Sequence, residues 1–122
     1  MLSTVLLPVS LSAQFDGAAG TAGSKAISYN DPRFVEWAIT CQVTRGYKNI
    51  AQQNLGTAAF GSETNVLGVP SSDDTMDCIS LGDRGEAVMT FQNPIIDGSG
   101  YDFAVFENGF GDNFLELALV YV

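Results

Sequence analysis

Carboxylates beside glycine-rich turns are the side chains of this chain best equipped for chemistry. The 122 residues contain no histidine, which removes Ser-His-Asp and Cys-His catalysis and the commonest ligand of transition metals. Asp and Glu together number 14, and their oxygens are the ligands that Ca2+ prefers. We therefore expect a structural Ca2+ held by a subset of five acidic residues. These are Asp73, Asp77, Asp97, Asp102 and Glu107.

The same carboxylates have a second interpretation, as turn residues that bond their own backbone and face water. The spacing from Asp97 to Asp102 does not match the alternating ligands of an EF-hand loop, so the motif alone does not decide. A rise in melting temperature selective for Ca2+ over Mg2+ would favour the metal site.

Glu107 and Glu116 raise the alternative of a glycosidase, because two carboxylates flanking a cleft are the equipment of that reaction. However, Glu107 closes a predicted strand and Glu116 alternates with leucines on another. Their positions at a strand end and on an outward face explain both without catalysis. We expect a protein that is not an enzyme and has no catalytic residue.

Aromatic residues in predicted loops are candidates for ligand binding. Tyr47, Tyr101 and Phe110 each adjoin a glycine and could stack on the apolar face of a sugar, as could Phe60. For Phe110, anchoring a packed turn is the stronger interpretation. Trp37 lies on an apolar stripe, which favours core packing over ligand contact.

A short N-terminal helix is predicted after Asp31, which would cap it, with Pro32 in the first helical position. Apolar residues then recur at helical spacing, while Arg33 and Glu36 are expected to point to water. The stripe consists of Phe34, Trp37, Ala38 and Cys41.

The second half of the chain predicts strands. Apolar residues alternate over 87–92, 103–106 and 115–119, and turn sequences rich in Gly, Asp and Asn separate them. One such turn is 82–85. Short strands between such turns predict a mainly β fold, an antiparallel β-sandwich. The irregular stretch 43–72 is expected to face a ligand or, alternatively, only to wrap the sandwich.

Three segments are expected. Residues 1–13 resemble a partial secretory signal peptide that ends at Ala13, although no Lys or Arg precedes residue 25. A start codon further upstream would explain this, and a buried strand is the alternative. Residues 14–30 are an extended lead-in. Residues 31–122 form the sandwich domain, whose apolar last strand is expected to be uncovered because the chain is C-terminally incomplete.

Export would allow a disulfide between Cys41 and Cys78, the only two cysteines, and two buried thiols are the alternative.

The net charge of −9 repels phosphate backbones, so nucleic acid is not an expected partner. The apolar run at the N-terminus is too short for a transmembrane segment.

Several blocks resemble a family of bacterial secreted cell-surface proteins. The most specific is Asp102-Phe103-Ala104-Val105-Phe106-Glu107-Asn108. The others are 31–38, 66–68, 79–83, 94–101, 109–110 and 114–118. Family members carry C-terminal surface-sorting signals, in Bacteroidetes the type IX secretion tail. The resemblance implies a jelly-roll-like sandwich, and it implies that closing strands and a sorting tail are missing here. Tyr121 stands where the family usually has an acidic residue.

Together these features predict a non-catalytic domain of a secreted or cell-surface bacterial protein that binds a glycan or another small nutrient. The binding loops would be 43–72 and 97–113. A structural or adhesion spacer without a small ligand is the second hypothesis, and a glycosidase-like hydrolase is the third.

Overall fold

A two-stranded antiparallel sheet is the main regular element among the residues that the structure describes. The computed structural model describes residues 16–70, 77–108 and 118–122. Strand β1, Thr40–Thr44, pairs with β2, Glu86–Thr90, in a register that places Thr40 opposite Thr90 and Thr44 opposite Glu86. Two 3-10 helices, Gln53–Leu55 and Glu63–Val66, lie in the connection between the strands.

The sheet has one apolar and one mainly polar face, as the period of two requires. Cys41 pairs with Met89 and Val43 with Ala87, so these four side chains share a face. On the other face the hydroxyls of Thr40 and Thr90 are hydrogen-bonded across the strands at 2.5 Å. Strand β2 lies within the stretch 87–92 that was predicted to be extended, apart from its first residue.

The predicted jelly-roll-like sandwich is wrong for the part of the chain that the structure describes, where two strands form a single sheet. Residues 103–106 alternate in sequence but form no strand, and 71% of Val105 is exposed. An alternating pattern specifies a strand only when a neighbouring strand and a second layer pack against it. Most of the predicted strand 115–119 lies outside the described residues.

The predicted helix is also wrong, since residues 34–39 contain no helix and Cys41 belongs to β1. Asp31 instead closes a turn: its carbonyl accepts the Phe34 N–H at 3.1 Å and its Oδ1 accepts the Arg33 N–H at 3.0 Å. An Asp-Pro pair starts turns as readily as helices. The β-branched residues that follow favour extended backbone.

An aromatic cluster joins the segment before β1 to the segment after β2. The ring centroids of Phe34 and Trp37 are 5.4 Å apart, and Phe106 lies 5.5 Å from Phe34 and 5.8 Å from Trp37. These separations are typical of favourable ring pairs. Trp37 therefore packs against other side chains, although from an irregular segment and not from a helix.

Little apolar surface is buried in the part of the chain that the structure describes. Ala58 is the buried hydrophobic residue of the described ranges, and it lies where three loop segments meet around Gly46 and Gly82. We call Gly46, Ala58, Gly82 and Gly85 the glycine junction. None of the helices that the structure describes is long and apolar enough to cross a membrane.

Candidate functional site

The glycine junction forms directly after β1, where Tyr47 pairs with two other segments. Tyr47 donates its N–H to the Asp83 carbonyl at 3.0 Å and accepts the Asp83 N–H at 2.8 Å. It also forms a bridge with Thr57, beside a bond from the Lys48 N–H to the Gly56 carbonyl at 2.9 Å. Three pieces of chain are thus joined through backbone groups, with Tyr47 in the middle.

Glycine is required in the junction because the backbones approach too closely for a side chain. A Cβ on Gly46 would overlap the Asp83 carbonyl oxygen and the Gly85 nitrogen. A Cβ on Gly82 would lie 2.7 Å from the Tyr47 oxygen, and the φ of Gly82 is 75°, in the left-handed region that favours glycine. The packing of the junction therefore depends more on having glycine, which has no side chain, at these positions than on apolar burial.

The turn predicted at 82–85 is present, closed by a bond from the Gly85 N–H to the Gly82 carbonyl at 2.9 Å. Arg84 occupies its left-handed position with a φ of 64°. The Asp83 carboxylate accepts the Ile50 N–H at 2.7 Å, so it orders a neighbouring loop. In this turn the acidic residue bonds backbone, as expected of turn carboxylates.

Arg45 joins two loops through backbone carbonyls. Its Nη1 donates to the carbonyls of Phe60, at 2.8 Å, and of Ser80, while its Nη2 donates to Gly61 at 2.7 Å. The fixed fork of a guanidinium suits several acceptors at once. Sequence reasoning missed this role. The sequence does carry a signal for this role. No Asp or Glu occurs between Trp37 and Ser62 to pair with Arg45 locally, so its guanidinium needs other acceptors.

Phe60 is held firmly at its backbone while its ring stays accessible. Its N–H donates to the Ser80 hydroxyl at 3.1 Å, and its carbonyl accepts the Ser80 N–H at 3.1 Å besides the Arg45 guanidinium. The residue is nevertheless 43% exposed. The loop therefore presents an aromatic ring from a fixed backbone.

The predicted ligand-binding aromatics are only partly described. Tyr47 is half-buried in the glycine junction, and Tyr101 is 88% exposed. Phe110 lies outside the described residues. No ring contact joins Tyr47 to Tyr101 within the part of the chain that the structure describes. A binding site that uses both tyrosines stays a prediction.

The carboxylates proposed for Ca2+ do not converge where the structure describes them. Asp77, Asp97 and Glu107 are exposed, and Asp102 Oδ1 accepts the Gly98 N–H at 2.9 Å within its own turn. Across residues 16–70, 77–108 and 118–122 there is no group of three acidic or sulfur side chains that could hold a metal. Asp73 and Glu116 lie outside these ranges, and the calcium site stays a prediction.

Both cysteines are thiols in this structure. Burial, followed by the charge of Glu63, raises the pKa of the Cys41 thiol, and the opposite charge of Arg45 offsets part of that rise. The Cys78 sulfur accepts a hydrogen bond from Asn108 Nδ2 at 3.2 Å. The bridge between Cys41 and Cys78 stays a prediction.

Arg33, expected to point to water, is 70% exposed while it pairs with Asp31, whereas Glu36, also expected to point to water, is half-buried and bonded to Asn93. The Arg33 guanidinium binds both oxygens of Asp31, at 2.8 and 2.9 Å, and lowers the pKa of Asp31 to about 2. Glu36 accepts the Asn93 side-chain amide at 3.0 Å and its backbone N–H at 2.8 Å. Glu36 thereby ties the segment before β1 to the turn after β2.

The Glu36 contact predicts a pH dependence of stability. Hydrogen bonds from Asn93 lower the pKa of Glu36 from its ordinary value of 4.5. A carboxyl whose folded pKa is lowered stabilises the fold fully above its unfolded pKa, and this contribution disappears as the pH falls through the folded value. We expect wild type to resist urea better than Glu36→Gln at pH 7, with the gap closing toward pH 3.

Comparing the two proteins isolates Glu36, because Asp31 titrates equally in both. Urea midpoints at several pH values measure the gap. A gap of constant size from pH 7 to pH 3 would contradict the proposed ionic character of the Glu36–Asn93 contact.

No family model, curated protein or solved structure matches the chain.

Proposed function

We propose that this chain is a non-catalytic binding domain of a secreted or cell-surface bacterial protein, and that its ligand is a glycan or another small nutrient. The observation that carries the proposal is the exposure of aromatic rings on hydrogen-bonded loops. Tyr101 is 88% exposed, and its turn is closed by the bond from the Gly98 N–H to Asp102. An ordered loop loses less conformational freedom when it binds, which favours affinity.

The hydrogen bonds of three carboxylates also suit binding better than catalysis. The Asp83, Asp102 and Glu36 carboxylates are all engaged with backbone N–H groups. A general acid or base must instead reach a substrate proton. The predicted export and the proposed Ca2+ belong to the same hypothesis, with calcium as a structural ion of the acidic turns.

Removing the Tyr101 ring should abolish most of the binding while leaving the fold intact. On a glycan array we expect Tyr101→Ala to lose about tenfold or more of the wild-type affinity, the scale of one stacked ring that is lost. The matched control is Tyr121→Ala, since Tyr121 is a second tyrosine of similar exposure, 84%. Equal losses in both variants, or none in Tyr101→Ala, would argue against a site at Tyr101.

A structural or adhesion module is the second candidate, and the exposed apolar side chains favour it. Val35, Ile96 and Val105 are all highly exposed, whereas the buried hydrophobic residue is a single alanine in the described ranges. Large apolar side chains at a surface commonly mark contacts between proteins. Under this hypothesis the wild-type chain would bind no glycan on the array.

A further inference from the structure

Phe60 combines two properties that a ligand-stacking residue needs, an accessible ring and a fixed backbone. We propose that the Phe60 ring is a second stacking face for the ligand, besides Tyr101, and that the ligand is a neutral glycan. The inference deepens the proposed function and depends on it. Phe60 is one of the aromatic residues that the sequence offers for sugar stacking, beside Tyr47, Tyr101 and Phe110, and it combines an anchored backbone with an exposed ring.

The fixed position of Phe60 follows from its hydrogen bonds. Ser80 bonds both the N–H and the carbonyl of Phe60, each at 3.1 Å, and Arg45 donates to the same carbonyl at 2.8 Å. Gly61 completes the arrangement, because its carbonyl binds Arg45 and a Cβ at that position would overlap the Cys78 carbonyl. Both sides of the loop are thus anchored before a ligand arrives.

The location of Phe60 also favours binding over core packing. It follows the segment of Thr57 and Ala58 that pairs with the chain at Tyr47, so the ring is presented beside the glycine junction. A preorganised aromatic ring contributes contact area at low entropic cost, because little freedom remains to be lost. The apolar C–H face of a sugar ring is a partner of suitable shape for such a surface.

The net charge of the chain favours a neutral glycan over an acidic one. The chain carries a net charge of −9 with five Lys and Arg residues in total. The charge of Arg33 is paired with Asp31, and Arg45 keeps its charge but directs its guanidinium N–H groups at three carbonyls of the protein. A negative field repels uronate and sulfate groups, so a neutral oligosaccharide is the ligand that the electrostatics favour.

The test uses the full chain and two series of probes, neutral gluco- and xylo-oligosaccharides and oligogalacturonates of equal length. Titration calorimetry should detect binding of a neutral probe by wild type and weaker or no binding of the acidic series. Phe60→Leu keeps apolar volume but removes the aromatic face, and we expect about a tenfold loss of affinity. Phe60→Tyr should bind like wild type.

Val69→Ala is the matched control, because Val69 is another exposed apolar residue of the same connection, 60% exposed. It should bind normally, and urea midpoints should show that Phe60→Leu is folded. Normal binding by Phe60→Leu would overturn the role of Phe60 while leaving the proposed function in place. Preference for the acidic probes would overturn the neutral class, and a wild-type chain that binds neither series would overturn both proposals.

Discussion

Replacing Gly46 with alanine is expected to lower the free energy of unfolding by about 3 kcal/mol, a large share of the stability of a small domain. The added Cβ would overlap two backbone atoms, the Asp83 carbonyl oxygen and the Gly85 nitrogen. A flexible side chain could move aside, but these atoms belong to the turn 82–85 and to the bridge with Tyr47. The substitution therefore has to separate hydrogen-bonded backbones.

Gly17→Ala is the control for the general effect of replacing glycine. A Cβ on Gly17 would meet Thr21 Cγ2 at 3.6 Å, an ordinary contact, and neither Gly17 nor Gly46 has a positive φ. Urea denaturation of the two variants and wild type measures the difference. If Gly46→Ala unfolds at the same urea concentration as Gly17→Ala, the close approach in the glycine junction is refuted.

The parts of this fold that sequence predicts well are those decided by neighbouring residues. The turn 82–85 could be predicted because Gly and Asp encode it locally, and β2 because its alternation is met by a real partner strand. Residues 103–106 carry the same kind of alternation, yet neither of the two described strands pairs with them. Alternation with a period of two shows that a segment could form a strand, and pairing with the rest of the chain determines whether it does form one.

The candidate site was harder to predict because its contacts join residues far apart in sequence. Ser80 bonds Phe60 across 20 residues, and Glu36 bonds Asn93 across 57. Neither contact belongs to a helical or strand period, so pattern reasoning assigned Glu36 to water. The predicted helix failed for a related reason: its spacing was compatible with a helix, but pairing of β1 with β2 requires Thr40 and Cys41 to be extended.

The described part of the connection between the strands is ordered with little burial of apolar side chains. With Ala58 as the buried hydrophobic residue among those described, order in the connection between the strands comes mainly from backbone hydrogen bonds and close glycine packing. Such bonds contribute about 1 kcal/mol each when they replace bonds to water. Order of this kind fixes loop positions while leaving rings such as Phe60 accessible, which is the combination that a binding surface needs.

Arg45→Met should destabilise the protein by about 2–3 kcal/mol, because one side chain satisfies carbonyls in two loops. Methionine retains much of the apolar stem but donates no hydrogen bond, so the carbonyls of Phe60, Gly61 and Ser80 would lose their shared donor. Arg45→Lys should be intermediate, since an ammonium group cannot span the three acceptors as a guanidinium does.

Arg84→Met makes the matched control for Arg45→Met, because it removes the same groups from an exposed turn position. Surface substitutions of that kind usually change stability by no more than about 0.5 kcal/mol. Urea denaturation separates the two variants, and protection of the Ser80 amide from hydrogen exchange reports the loop directly, since that amide bonds Phe60. Protection should fall in Arg45→Met and stay at the wild-type level in Arg84→Met. Equal stability and equal protection in the two variants would show that Arg45 does not hold the Phe60 loop, and the preorganisation argued for that ring would then have to rest on Ser80 alone.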